Sequence, residues 1–153
     1  MSLDAVKAYF SQYNMVDRIE ILESSTATVE EAARAHQVDS DQIGKTLSFK
    51  LEDKAILVVV SGDSKIDNKK YKSQFSTKAK MLSPDEVIAE TGHAIGGVCP
   101  FGLKKPVEVY LDVSLKKHLE IIPAAGDQHS AIRLTIEELE TYSNYKAWVD
   151  VSK

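Results

Sequence analysis

KTLSFKLEDKAILVVV, residues 45–60, predicts the centre of the fold. Residues 45–50 and 55–60 are rich in residue types that favour β-strands, and the polar segment LEDK between them is typical of a turn. We therefore expect an antiparallel hairpin at the middle of a sheet.

Lys45 is an unusual residue at the start of this hairpin. Side chains alternate between the two faces of a strand, so Lys45 shares a face with Leu47 and Phe49. Its ammonium is expected to point toward the core or the rim of a cavity, where a lysine needs a partner or a function. The alternative is a side chain that snorkels to water at the strand end.

The remaining segments alternate between helix and strand signals. Capping residues and apolar spacing predict five helices, and β-forming runs predict strands outside the hairpin. The helices are placed at residues 3–13, 28–36, 68–75, 83–92 and 136–143, and the strands at 17–22, 107–112, 119–122, 129–135 and 146–151. We expect one α/β domain over residues 1–153, with a mixed, largely antiparallel, barrel-like sheet flanked by helices.

The composition of the chain is that of a globular protein. Its 153 residues are 43% hydrophobic and 27% charged, which excludes a disordered or fibrous protein. The longest apolar run, around residues 55–60, is too short to span a membrane, and the N-terminus MSLDAVKAYF does not resemble a signal peptide. We expect a cytoplasmic protein with no membrane partner.

The charge is unevenly distributed. A net charge of −4 argues against non-specific binding of DNA or RNA over the whole surface, and DNA is not an expected partner. Residues 65–80, KIDNKKYKSQFSTKAK, nevertheless hold six lysines and one aspartate. Such a segment can follow a phosphate backbone or can simply be a solvated helix face. The candidate phosphate contacts are Lys65, Lys69, Lys70 and Lys72.

The segment TGHAIGGVCPFG, residues 91–102, contains the only cysteine of the chain. Cys99 is a candidate nucleophile with His93 or His129 as its base, but nothing in the spacing places either histidine within reach. A free cysteine is also commonly a small buried apolar residue. The chain has no spacing typical of a metal site, so no metal is expected.

The glycines of this segment allow a third interpretation. Gly96 and Gly97 can adopt backbone angles closed to other residues, and Pro100 restricts the far end of the loop. Such a loop can direct several amide N–H groups toward an anion. A tight structural turn after a helix is the competing interpretation.

Five separated sequence motifs occur in the same order as the motifs of one protein family. They are IGKTLSF from Ile43, GDSKID from Gly62, TGHAIGGVCPFG, VYLD from Val109, and AAG followed by HSAIRLT. Together they resemble the YbaK family of aminoacyl-tRNA deacylases, which includes the editing domain inserted in bacterial prolyl-tRNA synthetases. The resemblance covers roughly residues 29–139.

The resemblance implies a YbaK-like fold and a trans-editing hydrolase that cleaves the ester of mischarged aminoacyl-tRNA. The expected substrate is tRNA(Pro) carrying cysteine, alanine, serine or a similar small residue, with prolyl-tRNA synthetase as a further partner and no cofactor. A non-catalytic module of the same fold that binds tRNA or a synthetase is the alternative.

The resemblance also implies roles for individual residues. Lys45 corresponds to the functional lysine of the family, and the loop presents backbone amides to the aminoacyl group. Thr46 stands where relatives devoted to alanyl esters carry asparagine, which argues against strict specificity for alanine. The lysines of residues 65–80 become candidate tRNA contacts. The expected substrate-binding residues are Thr46, Gly96, Gly97, Val98, Cys99, Pro100, His129 and Ser130.

Overall fold

The computed structural model describes residues 2–153 and contains five α-helices and eight strands in this range. The helices are α1 (Ser2–Ser11), α2 (Val29–His36), α3 (Asn68–Phe75), α4 (Pro84–Thr91) and α5 (Ile136–Tyr142). The strands are β1 (Ile19–Ile21), β2 (Ile43–Leu51), β3 (Lys54–Ser61), β4 (Glu108–Asp112), β5 (Glu120–Pro123), β6 (Ser130–Ile132), β7 (Leu134–Thr135) and β8 (Ala147–Val149).

The predicted hairpin is confirmed and forms the centre of a six-stranded sheet. Strands β2 and β3 pair antiparallel along their whole length, with Lys45 opposite Val60, and the strand order is β7-β5-β2-β3-β4-β8. Burial explains the apolar run of β3, since every residue of this strand after Lys54 is buried. A strand covered on both faces has no reason to alternate with polar residues.

The predicted mixed sheet flanked by helices is also confirmed, with a difference in the balance of strand directions. The longest ladder is antiparallel, but three of the five pairings in the six-stranded sheet are parallel: β2 with β5, β3 with β4, and β4 with β8. Parallel neighbours need a crossover, and α3 and α4 lie in the connection from β3 to β4. The segment predicted as one strand at 129–135 is divided between β6, which pairs with β1, and β7, which pairs with β5.

Apolar side chains cover both faces of the sheet. On one face, Leu57 and Val59 pack with Phe10 of α1 in the larger core cluster. On the other face, Val58 packs with Tyr71 of α3. Local signals explain the helix boundaries: α4 begins with a capping box between Ser83 and Glu86 and ends at Gly92, whose φ is +79°. Within residues 2–153, no helix has both the length and the apolar character needed to cross a bilayer.

Candidate active site

A cleft lies where the edge of β2 is left open. Strand β2 pairs with β5 only at Ile43 and Gly44, and further along Phe49 forms a bridge with Met81. Between these two contacts, residues 45–47 of β2 have no paired strand on this side among the described residues. The opening has a volume of about 240 Å³.

The cleft brings together residues from distant parts of the sequence. Its walls are made mainly by β2, the loop before α2, the loop after α4, and the segments around residues 81–82 and 122–131. Five of the residues predicted from the sequence lie on these walls: Lys45, Thr46, Gly96, Val98 and Ser130.

Lys45 is half-buried at this cleft, and its ammonium is held by the backbone. The Nζ atom donates a hydrogen bond of 2.6 Å to the carbonyl oxygen of Ser64. Burial lowers the pKa of Lys45, Asp63 and Glu30 raise it, and Lys65 lowers it further. The charged side chain is therefore directed by one contact and is only partly solvated, which strengthens its field inside the cleft.

The loop that carries the acceptor of Lys45 is itself tied down. The hydroxyls of Ser61 and Ser64 lie 2.6 Å apart, and the Ser61 amide donates to Ser114 Oγ at 3.0 Å. Asp112 is fully buried and accepts hydrogen bonds from the Ser114 amide at 2.9 Å and the Val151 amide at 2.8 Å. These contacts anchor the Ser64 carbonyl to the end of β4 and to the C-terminal segment.

The glycine loop, which follows α4 and contains Gly96 and Gly97, is shaped by close backbone packing. Gly96 has a φ of +96°, and a Cβ at Gly97 would lie 2.5 Å from the Asp127 nitrogen. The Gly97 amide donates to the Ala94 carbonyl at 3.0 Å, and the Gly97 carbonyl accepts from the Gly126 amide at 3.1 Å. Gly97 therefore uses its own polar groups to hold the turn and has no amide left for a ligand.

The neighbouring amides of the loop are differently placed. Among residues 2–153, the N–H groups of Gly96 and Val98 have no hydrogen-bond acceptor, and both residues lie on the cleft. The Cys99 amide also has no acceptor in this range, but Cys99 is not part of the lining. Pro100 is buried beside it. Two of the expected amides, those of Gly96 and Val98, are therefore unpaired and belong to residues that line the cleft.

The Cys99 thiol points into the core. Cys99 belongs to the larger core cluster, is fully buried, and has its pKa raised by burial to about 12. His93 is also buried; its Nε2 lies 3.6 Å from the thiol and 2.7 Å from the Phe101 carbonyl. Because a carbonyl can only accept, Nε2 carries the proton and cannot take one from the thiol.

The other predicted residues are distributed as follows. His129 is exposed outside the cleft, with Nδ1 at 3.2 Å from the Ser24 carbonyl. Ser130 is buried on the cleft wall and donates to Asp127 Oδ1 at 2.8 Å. The hydroxyl of Thr46 is buried and has no partner among the described residues.

In residues 2–153, no three potential ligands among His, Cys, Asp and Glu form a metal-binding group, and the absence of a metal stays a prediction.

The basic segment begins beside the cleft and continues along α3. Lys65 lies close enough to influence the pKa of Lys45. Lys69 and Lys72 are exposed on α3, but Lys70 is engaged, with Nζ at 3.2 Å from Asp150 Oδ1 and 2.9 Å from the Ser152 carbonyl. Lys70 is therefore a weaker candidate for a phosphate contact than its neighbours.

Sequence analysis did not identify Ser64 or Met81 as part of the site. Ser64 lies within the recognised motif GDSKID, so the motif was a signal, but its role depends on a carbonyl that no sequence pattern reveals. Met81 reaches the cleft through its bridge to Phe49, a contact between segments that are separate in sequence.

Comparison with known proteins identifies the family of this chain. A family model described as "Aminoacyl-tRNA editing domain" matches residues 23–142. The chain belongs to the aminoacyl-tRNA editing domain family. The family resemblance inferred from the sequence is thereby confirmed, and the cleft with Lys45 lies within the matched region.

Three individual proteins show how similar the chain is to known sequences. "Uncharacterized protein YwhH" of Bacillus subtilis is 52% identical, with 100% of this chain and 98% of the relative aligned. "Putative Cys-tRNA(Pro)/Cys-tRNA(Cys) deacylase EbsC" of Enterococcus faecalis is 29% identical over 76% of this chain and 73% of the relative. "Proline--tRNA ligase" of B. subtilis is 32% identical over 67% of this chain, but the match spans only 19% of that enzyme.

A solved structure supports the same assignment of the fold. The crystal structure of "a putative trans-editing enzyme for prolyl tRNA synthetase" has a TM-score of 0.89 and 31% sequence identity, with 99% of this chain and 97% of that chain covered. The editing-domain fold therefore extends over nearly all of the chain, including segments outside the matched family region.

Proposed function

We propose that this protein is an aminoacyl-tRNA deacylase that hydrolyses the ester of mischarged tRNA. One observation carries the proposal: Lys45 and the two residues with unpaired amides, Gly96 and Val98, line a single cleft. The family membership supports a reaction on aminoacyl-tRNA, and the retained lysine and loop favour a catalyst over a module that only binds.

The proposed mechanism uses electrostatic stabilisation rather than a protein nucleophile. When water attacks the ester carbonyl, negative charge develops on the carbonyl oxygen. Positioned donors such as Lys45 Nζ and the Gly96 and Val98 amides lower the barrier by stabilising that charge. The free terminal ribose hydroxyl of the tRNA orients the water, whose oxygen forms a bond to the carbonyl carbon. The bond from that carbon to the esterified ribose oxygen then breaks, and this oxygen takes the proton that the water gives up, which leaves a free amino acid and a free ribose hydroxyl.

The proposed substrates carry small amino acids. A volume of about 240 Å³ lies below the range of roughly 300–1,000 Å³ typical of sites for drug-sized ligands, and the lining is largely apolar. The name of one relative mentions Cys-tRNA(Pro) and Cys-tRNA(Cys), and the name of the solved structure mentions prolyl tRNA synthetase. We therefore propose tRNA(Pro) charged with cysteine, alanine or serine. Docking on prolyl-tRNA synthetase is a related proposal.

The test is deacylation across a panel of mischarged tRNAs. We expect Lys45→Ala to lower kcat by on the order of 10²-fold or more, because a charged donor to the transition state is removed. Lys45→Arg should also fail, since a planar guanidinium does not replace a compact ammonium. Lys50→Ala is the matched control, because Lys50 is an exposed lysine on the same strand outside the cleft.

The same panel separates the proposed enzyme from a binding module. Near wild-type turnover in Lys45→Ala would contradict the assigned role of the lysine. Binding of tRNA without turnover of any member of the panel would favour the non-catalytic alternative.

A further inference from the structure

Two large apolar side chains are exposed at the mouth of the cleft. Met81 is 58% exposed and Ile95 is 56% exposed, although both contribute to the cleft lining. Other exposed apolar side chains, such as Ile21 and Leu119, lie outside the lining. Apolar surface that remains open beside a ligand site marks a place where a partner group can be buried.

Backbone contacts hold the segments that carry both residues at the rim. Met81 forms a bridge with Phe49, and the next residue, Leu82, is buried and donates its amide to the Ser48 carbonyl at 3.2 Å. Ile95 lies inside the turn closed by the hydrogen bond from the Gly97 amide to the Ala94 carbonyl. The two residues therefore form parts of a preformed rim, which reduces the entropic cost of binding.

We propose that Met81 and Ile95 form a subsite for the nucleobase of the terminal adenosine of tRNA, an inference that rests on the proposed function. An aminoacyl ester joins the amino acid directly to the ribose of that nucleoside. With the carbonyl beside Lys45 and Gly96 and the side chain inside the cleft, the ribose and base must lie outside it, over the rim.

The chemistry of the rim suits a flat aromatic group. A methionine thioether is polarizable and makes favourable contacts with aromatic rings, and an isoleucine side chain adds apolar area on the same opening. The contact requires no hydrogen bond to the base edges. It therefore positions the end shared by all tRNAs and leaves the choice of amino acid to the interior of the cleft.

Binding of non-hydrolysable ligands tests the subsite separately from catalysis. The probes are alanine linked by an amide bond to 3′-amino-3′-deoxyadenosine, and alanine N-methylamide, which lacks the nucleoside. In calorimetric titration of the full chain, we expect the adenosine probe to bind at least about tenfold more tightly than alanine N-methylamide. The reason is the burial of apolar surface against the base.

Variants assign this difference to the rim. We expect Met81→Ser and Ile95→Ser each to weaken the adenosine probe, and the double variant to remove most of its advantage over the N-methylamide. Ile21→Ser and Leu119→Ser are controls, because both remove an exposed apolar side chain away from the cleft. Thermal unfolding of every variant verifies that the fold is retained.

Two outcomes would overturn the subsite. One is equal affinity of the wild-type protein for both probes, and the other is an adenosine advantage that survives in the folded double variant. Because these measurements are of binding, they are independent of the deacylation panel. Failure of the proposed activity and failure of the proposed subsite are therefore distinguishable.

Discussion

At the scale of single residues, the ionisation of Lys45 gives the most direct prediction. Burial lowers the pKa of its ammonium, so the proton is lost at a lower pH than in a free lysine. The proposed mechanism requires the charged form, which is present below this pKa. We therefore expect kcat for deacylation to fall as the pH rises through the lowered pKa of Lys45.

The pH profile is measured at saturating substrate, with the rate of Lys45→Ala subtracted because hydroxide also hydrolyses aminoacyl esters. Asp63→Asn should move the falling limb to lower pH, and Lys65→Gln should move it to higher pH, because these charges respectively raise and lower the pKa of Lys45. A pH profile that neither Asp63→Asn nor Lys65→Gln shifts, and that Lys45→Ala shares with the wild-type protein, would contradict the role of the ammonium.

For Cys99 we predict no catalytic role, because its side chain lies in the core. With its pKa raised to about 12, the thiol stays protonated at neutral pH and cannot act as a thiolate. We expect Cys99→Ala to keep kcat close to the wild-type value and to lower the free energy of unfolding by about 1 kcal/mol, because it leaves a small cavity. Deacylation and urea unfolding measure the two effects. A stable but inactive variant would restore the nucleophile interpretation.

At the scale of the elements, the loop between α4 and β4 depends on Gly97. A Cβ added there would lie 2.5 Å from both the Gly126 carbonyl carbon and the Asp127 nitrogen, and backbone atoms cannot yield as a flexible side chain can. We expect Gly97→Ala to lower the free energy of unfolding by roughly 1–3 kcal/mol and to reduce kcat, since the Gly96 and Val98 amides would be displaced.

Gly44→Ala is the control for the unfolding measurement. The nearest atoms to a Cβ at Gly44 lie 3.3–3.4 Å away, and this glycine has no positive φ. An effect of Gly97→Ala no larger than that of Gly44→Ala would show that the loop tolerates displacement.

At the scale of the whole molecule, an acidic protein presents a local basic face. The net charge is −4, yet Lys65, Lys69 and Lys72 are exposed in and beside α3. If these lysines bind tRNA phosphates, replacing all three with glutamine should weaken binding of every tRNA in similar proportion. The log–log dependence of binding on salt should flatten by about one unit for each phosphate that is no longer neutralised by a lysine.

The matched control replaces Lys104 and Lys105, which are exposed outside this segment. Turnover at saturating substrate should change little in either variant. An unchanged salt dependence in the triple variant would mean that residues 65–80 form only a solvated face, and a change in the control would place the phosphate-binding lysines there.

The sequence by itself determined most of the elements and the family. The hairpin was predictable because residues 45–60 carry β-forming runs around a polar turn, and α4 because its caps, Ser83 and Gly92, are local signals. Such signals act over a few residues. The sequence also indicated Lys45 and the loop with Gly96 and Gly97 as candidate site residues. Lys45 was indicated by the strand face that it shares with Leu47, and both were indicated by the resemblance to known deacylases. Their catalytic roles stay predictions.

Only the tertiary structure decided which of these residues meet. The cleft exists because β2 leaves β5 after Gly44 and reaches Met81 only at Phe49, and no local pattern encodes where two distant strands stop pairing. The inward direction of Cys99, the hydrogen bond from the Gly126 amide to the Gly97 carbonyl, and the contacts of Lys70 with Asp150 and Ser152 have the same origin. Each depends on atoms from segments that are far apart in sequence and become neighbours only when the core packs.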